Sequence, residues 1–281
     1  MKYCAIFPGQ GSQKLGMGSD FINNDPYSKE ILEKGSIRIG SDLIDIINNN
    51  GDLLEKTEFT QPAILAISTL SFEYFIKNGG KQPYVALGHS LGEYSALVAS
   101  GTLDIVDALW LVHYRGKLMQ EYCAGQESGM MVVLGLEDAK LESFIQEKRD
   151  GGKKIWCANY NCDGQVVLAG LKNDLESIVE PLKTVGAKRA MLLNMSVSSH
   201  SPLLKDMTDR FGEALESTLK DNFLFPVVSN VTAKKYNTKQ EDIELLKSQL
   251  VSPVLYKQSI QNIDSEVGAY IEFGNGNVLK G

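Results

Sequence analysis

No stretch of this chain stays apolar for the roughly 20 residues that a membrane-spanning helix needs, so no such helix is expected. Nor is a secretory leader expected from Met1-Lys2-Tyr3-Cys4-Ala5-Ile6-Phe7, which meets Pro8 before an apolar core accumulates. Cysteine is scarce (Cys4, Cys123, Cys157 and Cys162), none in zinc-type pairs, and only three histidines exist. Those counts set aside a disulfide framework and a structural metal centre, and the thiols read as reduced and mostly buried. A basic excess is also absent: 28 Lys and Arg against 35 Asp and Glu give a formal charge of −7. That argues against a general nucleic-acid binder, whose footprint is basic, while leaving room for a local patch facing a phosphorylated ligand. The Gly-rich segment near the N-terminus fails both phosphate-loop patterns. A dinucleotide fingerprint needs Gly or Ala where Lys14 stands, and a P-loop needs Lys then Ser or Thr where Met17 follows Gly16. A cytoplasmic protein with no metal and no organic cofactor is the expectation. With no coiled-coil seam, a monomer is expected as well.

What is present is an ordinary globular composition, 43% apolar and 22% charged over 281 residues. That length suits one large α/β domain or a domain carrying a smaller insert. Tyr3-Cys4-Ala5-Ile6-Phe7 reads as a buried strand running into Pro8-Gly9-Gln10-Gly11-Ser12-Gln13. Thr60-Gln61-Pro62 is expected to open an apolar helix reaching about Ile76, and another helix runs from Leu103-Asp104 to about Tyr122. From Ser128 to Leu193 the pattern is self-contained. A strand at 129–134 and a helix at 137–148 lead to a hairpin of 155–159 with 165–169, then a helix at 173–185 and a strand at 189–193. This β-α-β-β-α-β order is that of a ferredoxin-like module. Strands resume at 225–230 and 269–273. Residues 128–193 are therefore read as a ferredoxin-like insert in a discontinuous α/β domain formed by 1–127 and 194–281.

The most informative stretch is Gly88-His89-Ser90-Leu91-Gly92. Apolar Tyr84-Val85-Ala86-Leu87 precedes it, and helix-like Glu93-Tyr94-Ser95-Ala96-Leu97-Val98-Ala99 follows, stopped by Gly101. Strand, sharp turn and helix make Gly-x-Ser-x-Gly a nucleophile elbow, in which the turn lifts the serine hydroxyl clear of the sheet. The serine needs a base. His89 neighbours it, but adjacent residues on such a turn point apart, so His89 shapes the pocket. His113 sits mid-helix among apolar neighbours and reads as structural. His200 lies in the polar loop Ser196-Val197-Ser198-Ser199-His200-Ser201-Pro202 and is the candidate base. No triad carboxylate is evident between Ser90 and His200, since most acids there fall on amphipathic helix faces and Asp163 reads as a turn residue. Arg115 has two readings, a guanidinium lying along the surface or a bidentate clamp for a substrate carboxylate.

Several stretches together resemble the bacterial malonyl-CoA:acyl carrier protein transacylase family. They are Phe7-Pro8-Gly9-Gln10-Gly11-Ser12-Gln13, Thr60-Gln61-Pro62-Ala63, the elbow with Glu93-Tyr94-Ser95-Ala96, Arg115-Gly116-Lys117, and Gly164-Gln165-Val166-Val167-Leu168-Ala169-Gly170. Ser199-His200 and Gln249-Leu250 with Pro253 complete the series, in the family's order. The resemblance implies an α/β-hydrolase-like large domain around a parallel sheet with a ferredoxin-like insert. It implies that Ser90 is acylated, that His200 is its base, and that the amides of Gln10 and Leu91 form an oxyanion hole. It further implies that Arg115 holds a malonyl carboxylate and that the main-chain carbonyl of Gln249 orients His200 in place of an acid. Malonyl-CoA and acyl carrier protein would be the partners, with neither nucleic acid nor membrane involved. Two features depart from the pattern. Gly274-Asn275-Gly276 stands where relatives commonly read Gly-Pro-Gly, and the sequence stops at Gly281 where they continue into a further helix, so either the sequence is shortened or the C-terminal packing differs. The competing expectations are an acyltransferase serving polyketide synthesis, a serine hydrolase releasing free acid, and a binding module on an inactive elbow.

Overall fold

Every residue of the first apolar run is buried, and it forms β1 (Tyr3–Phe7). The computed structural model describes residues 1–195 and 197–280, the side chains of residues 21 and 23 apart, so Ser196 and Gly281 lie outside the described residues. Four helices follow: α1 (Ser19–Asn24), α2 (Pro26–Ile39), α3 (Leu43–Asn49) and the single turn α4 (Gly51–Leu54). Local chemistry sets their limits. Asp25, Asp42 and Asn50 accept from amides in the first turns of α2, α3 and α4, and Gly40 ends α2 in a left-handed conformation. The helix expected from Thr60 starts earlier, as α5 (Thr57–Lys77), which places Pro62 inside it. Pro62 has no N–H for the Glu58 carbonyl, and His113 Nδ1 takes that acceptor at 2.8 Å. The proline is tolerated because a neighbouring side chain satisfies the orphaned carbonyl.

β2 (Val85–Gly88) leads through the elbow to α6 (Gly92–Ser100), and Asp104 then caps α7 (Ile105–Cys123). The next elements are β3 (Ser128–Leu134), α8 (Asp138–Asp150), β4 (Ile155–Cys162), β5 (Gln165–Leu171), α9 (Lys172–Ser177), α10 (Val179–Thr184) and β6 (Arg189–Leu192). The β4–β5 strands run closer to their turn than expected, leaving only Asp163 and Gly164 between them, with Gly164 at φ 71°. The helix expected over 173–185 is broken at Ile178, because Pro181 cannot donate to the Ser177 carbonyl. The chain closes with α11 (Thr208–Thr218), β7 (Val227–Val228), β8 (Lys235–Tyr236), α12 (Lys239–Gln249), α13 (Tyr256–Ile263) and β9 (Ala269–Glu272). The strand expected over 225–230 shrinks to two residues. Ser229 turns the chain back there, its hydroxyl accepting from the Val231 amide.

The strands form two sheets. The first has the order β8-β7-β2-β1-β9, parallel except for the edge strand β8. Phe7 pairs with Gly88 at the carboxyl ends of β1 and β2, so the Gly-rich loop and the elbow emerge side by side. That end of a parallel sheet is where α/β folds gather their functional loops. The rings of Phe7, Phe72 and Phe273 pack beneath it, with centroids 5.1–6.0 Å apart. The second sheet is antiparallel, in the order β4-β5-β3-β6. A short parallel bridge joins its edge to the segment after α12, with Tyr160 N–H donating to the Val254 carbonyl at 2.9 Å. Asn275, where proline was expected, ties the C-terminal segment to the Gly-rich loop by donating to the Ser12 carbonyl at 2.8 Å. Among the described residues no helix is long and apolar enough to cross a membrane.

Candidate active site

The elbow is built by close approach. A Cβ on Gly88 would lie 1.8 Å from the Gly92 carbonyl carbon, and one on Gly92 would lie 2.1 Å from the Phe7 carbonyl oxygen. Only glycine fits either position, and the strand can then reverse directly into α6. Ser90, between them, sits at φ 52°, a left-handed conformation that costs a non-glycine residue about 1–2 kcal/mol. Asn230 holds the strained turn from below. Its Oδ1 accepts from Ser90 N–H at 2.7 Å and its Nδ2 donates to the Gly88 carbonyl at 2.7 Å.

His200 Nε2 lies 2.7 Å from Ser90 Oγ, and His200 Nδ1 lies 2.7 Å from the Gln249 carbonyl oxygen. A carbonyl can only accept, so Nδ1 carries the proton and Nε2 presents its lone pair to the serine. This is the tautomer a general base requires. The imidazole is 2% exposed, and its pKa is pushed down to about 3, first by burial and then by the charge of Arg115. Among the described residues no carboxylate is bonded to Nδ1, whose partner is the Gln249 carbonyl.

Arg115 is buried, and the surface reading of this residue is thereby corrected. Gly116 lets α7 cross α5 closely, since a Cβ there would meet the Thr57 carbonyl oxygen at 2.7 Å. The crossing brings Arg115 Nη1 to 2.8 Å from Gln61 Oε1, while Nη2 donates to Gln249 Oε1 at 3.1 Å. Both partners are neutral amides. The guanidinium lines a cleft of about 320 Å³ together with Gln10, Ser90, Leu91 and His200, walled by Met130, Val132 and Val167 of the second sheet. The amides of Gln10 and Leu91 donate to nothing among the described residues, and α6 carries no side-chain cap on its first turn. Free donors beside Ser90 suit a developing oxyanion.

The remaining candidates fall where their chemistry directs them. His89 lines the same cleft, and its Nε2 meets Asn161 Oδ1 at 2.8 Å. His113 is the structural partner of Glu58. Asp163 pairs with Lys257 at 3.2 Å and takes no triad role. No group of three or more His, Cys, Asp or Glu side chains that could hold a metal occurs among the described residues. Sequence reasoning missed Asn230, Gln61 and Glu93. The last left a readable trace, as the one acid at the head of an otherwise apolar buried helix.

Comparison with known proteins is consistent along the whole chain. The acyl transferase domain family matches residues 5–278. The malonyl CoA-acyl carrier protein transacylase of Salmonella typhimurium is 37% identical over 282 aligned residues, covering 100% of this chain and 91% of that protein. The crystal structure of malonyl-CoA:acyl carrier protein transacylase from Helicobacter pylori superposes with a TM-score of 0.95 at 44% identity, covering 100% of this chain and 90% of that one. A malonyl-transacylase solved in complex with its type II polyketide synthase acyl-carrier protein gives a TM-score of 0.94 at 37% identity, over 99% of this chain and 91% of that one.

Proposed function

This chain belongs to the acyl transferase family and transfers malonyl groups from CoA to acyl carrier protein, and we propose that it does so through a malonyl ester on Ser90. The observation that carries this reading is the 2.7 Å contact between Ser90 Oγ and His200 Nε2 in a cleft that also holds Arg115. Ser90 Oγ attacks the thioester carbonyl as its proton passes to His200 Nε2. The tetrahedral oxyanion rests on the amides of Gln10 and Leu91, each worth about 3 kcal/mol in such a hole. The C–S bond then breaks, and His200 returns the proton to the CoA sulfur. In the second half-reaction the carrier's phosphopantetheine thiol gives its proton to His200 and attacks the ester carbonyl, and Ser90 Oγ leaves with that proton. Ping-pong kinetics follow from two half-reactions sharing one acyl-enzyme.

Arg115 is read as the clamp that holds the malonyl carboxylate through both steps. Its amide partners orient it without neutralising it, so a substrate carboxylate supplies the missing opposite charge. Seating that carboxylate also offsets the field that depresses His200, which strengthens the base when the donor is bound. The Gln249 carbonyl is read as the orienting group. No metal or redox step enters this route.

The strand order β6-β3-β5-β4 within β-α-β-β-α-β supports reading 128–193 as the ferredoxin-like insert, with an α/β-hydrolase-like domain from 1–127 and 194–281. A cytoplasmic monomer is the proposed setting, supported by four free thiols. The polyketide transacylase complex favours a second reading, in which the same transfer loads a polyketide carrier. Intact-mass measurement tests the chemistry: malonyl-CoA alone should add one malonyl group on Ser90, and holo-carrier protein should remove it. An unmodified chain would overturn the acyl-enzyme. Comparing fatty acid and polyketide carriers as acceptors decides between the pathways.

A further inference from the structure

Glu93, the first residue after the elbow glycine, has no part in the steps above, yet it is 1% exposed and lies under all of them. Its Oε2 accepts from Gln249 Nε2 at 2.7 Å and from Asn230 N–H at 3.2 Å, and its Oε1 accepts from Tyr236 OH at 3.0 Å. We propose that Glu93 is the positioning residue of the site, fixing nucleophile, base and carboxylate clamp relative to one another through Gln249 and Asn230. The proposal rests on the reading of Ser90, His200 and Arg115 given above.

The argument begins with the Gln249 amide, which has two donor hydrogens and one acceptor oxygen. Its nitrogen has two acceptors, Glu93 Oε2 at 2.7 Å and the Ser90 carbonyl at 3.2 Å. Oε1 must therefore face Arg115 Nη2, as it does at 3.1 Å. Rotating the amide by half a turn would point N–H groups at a guanidinium that can only donate. The Glu93 carboxylate forbids that rotation, because it is the acceptor the nitrogen would lose. The same side chain thus settles which way Gln249 points, and Gln249 is also the residue whose carbonyl holds His200. On the other side Glu93 anchors the Asn230 backbone, and the Asn230 side chain grips Ser90 N–H and the Gly88 carbonyl just before it.

The charge arrangement agrees with this role. Arg115 and Glu93 are both buried, but a neutral amide stands between them. The carboxylate offsets the buried guanidinium at one remove and leaves its outer face free for substrate. Direct contact would satisfy Arg115 within the protein and remove its reason to bind malonate. Burial pushes the Glu93 pKa up to about 7, opposed by the hydrogen bonds from Gln249, Asn230 and Tyr236 and by Arg115. The hydrogen-bond acceptor at Oε2 survives in either protonation state, so acceptance is the essential property.

The test compares Glu93→Met, which keeps bulk and removes the acceptors, with Glu93→Gln, which keeps an acceptor oxygen. In the latter, Tyr236 OH can turn to Asp242, 3.4 Å away. Rapid-quench intact mass gives two quantities, the fraction of chains that become acylated and the rate at which they do so. Malonyl-CoA and acetyl-CoA are used as donors, with the wild-type chain alongside. Glu93→Met should acylate at least 10-fold more slowly per competent molecule and lose at least 10-fold of the malonyl preference. Glu93→Gln should stay within about 3-fold of wild type. Gln249→Met, which keeps the carbonyl and removes the amide, should show the same loss of malonyl preference, and its combination with Glu93→Met should be no worse than either alone. Wild-type rate and preference in Glu93→Met overturn the proposal whatever its melting temperature, and so does a Glu93→Gln as poor as Glu93→Met. Should Glu93→Met not fold, unchanged malonyl preference in Gln249→Met overturns it equally. A wild-type chain that takes no acyl group would sink the underlying function instead, so the two failures are distinct.

Discussion

Arg115 Nη1 donates to Gln61 Oε1 at 2.8 Å, and no carboxylate touches the guanidinium among the described residues. A buried cation held by neutral amides, with the Tyr94 ring 5.3 Å away, retains most of its attraction for an incoming anion, because neutral dipoles orient it without cancelling its charge. Arg115→Ala should lower kcat/KM for malonyl-CoA by about 10- to 100-fold, the worth of a charge-assisted hydrogen bond of about 1.5–3 kcal/mol. Acetyl-CoA, whose acyl group carries no free carboxylate, should lose far less. Steady-state kinetics on both donors check this, and an unchanged donor ratio would remove Arg115 from substrate recognition.

Gly88 and Gly92 need their missing side chains for a different reason from Gly125. A Cβ on Gly92 meets the Phe7 carbonyl oxygen at 2.1 Å, which is backbone and cannot rotate away, whereas Gly125 (φ 82°) faces open space. Gly92→Ala should therefore destabilise the fold by about 3 kcal/mol or more, while Gly125→Ala should cost about 1 kcal/mol from its left-handed backbone alone. Urea unfolding of the two variants compares them directly. Similar costs would mean that the elbow has slack.

Most strands could be read from periodicity, because they are short, apolar and bounded by glycine or proline, whereas α1–α4 and α11–α13 went unread. The misplaced start of α5 has a non-local cause. Pro62 lies inside α5 because His113, distant in sequence, takes up the Glu58 carbonyl, and local rules cannot see such a rescue. Ser90 and His200 were legible because their chemistry is written in residue type and local turn context. Arg115 stayed ambiguous until packing buried it. The partners of Asn230 and Glu93 could not be read, because they are main chain and amides 137 and 140 positions away with no sequence spacing to detect, although Glu93 itself stood out as an acid on an apolar helix.

Asn230 is the cheapest point at which to loosen the nucleophile. Replacing it by alanine leaves Ser90 N–H and the Gly88 carbonyl without their partner, each buried group costing about 1–3 kcal/mol. Asn230→Asp keeps an acceptor for Ser90 but sets a carboxylate oxygen against the Gly88 carbonyl. Both variants should be destabilised, and both should acylate more slowly, with Asp the worse of the two at neutral pH. Thermal unfolding and the acylation rate measured together check this. A stable, fully active Asn230→Asp would show that the grip on Gly88 is dispensable.

The buried imidazole makes a prediction about pH in which the sign matters. His200 is held near 3, against an ordinary 6.5, by burial and then by Arg115. The unfolded chain binds a proton there below 6.5 and the folded chain does not until about 3, so this residue makes stability fall as pH drops through that window. Glu93 acts in the opposite direction. Its pKa is raised from 4.5 to about 7, so its contribution is fully present below 4.5 and is lost as pH rises toward 7. The two slopes offset each other between 4.5 and 6.5 in the wild type. His200→Gln removes only the first, so the variant should gain on the wild type as pH falls from 6.5 to 4.5, by up to about 1.4 kcal/mol per pH unit. Urea unfolding at several pH values reads this difference, and a flat difference would mean that the imidazole is not held neutral. Kinetics give the matching signature. The acid limb of kcat/KM should lie below the ordinary histidine range, and that of kcat should lie higher, because the bound malonyl carboxylate offsets Arg115 and eases protonation of the base.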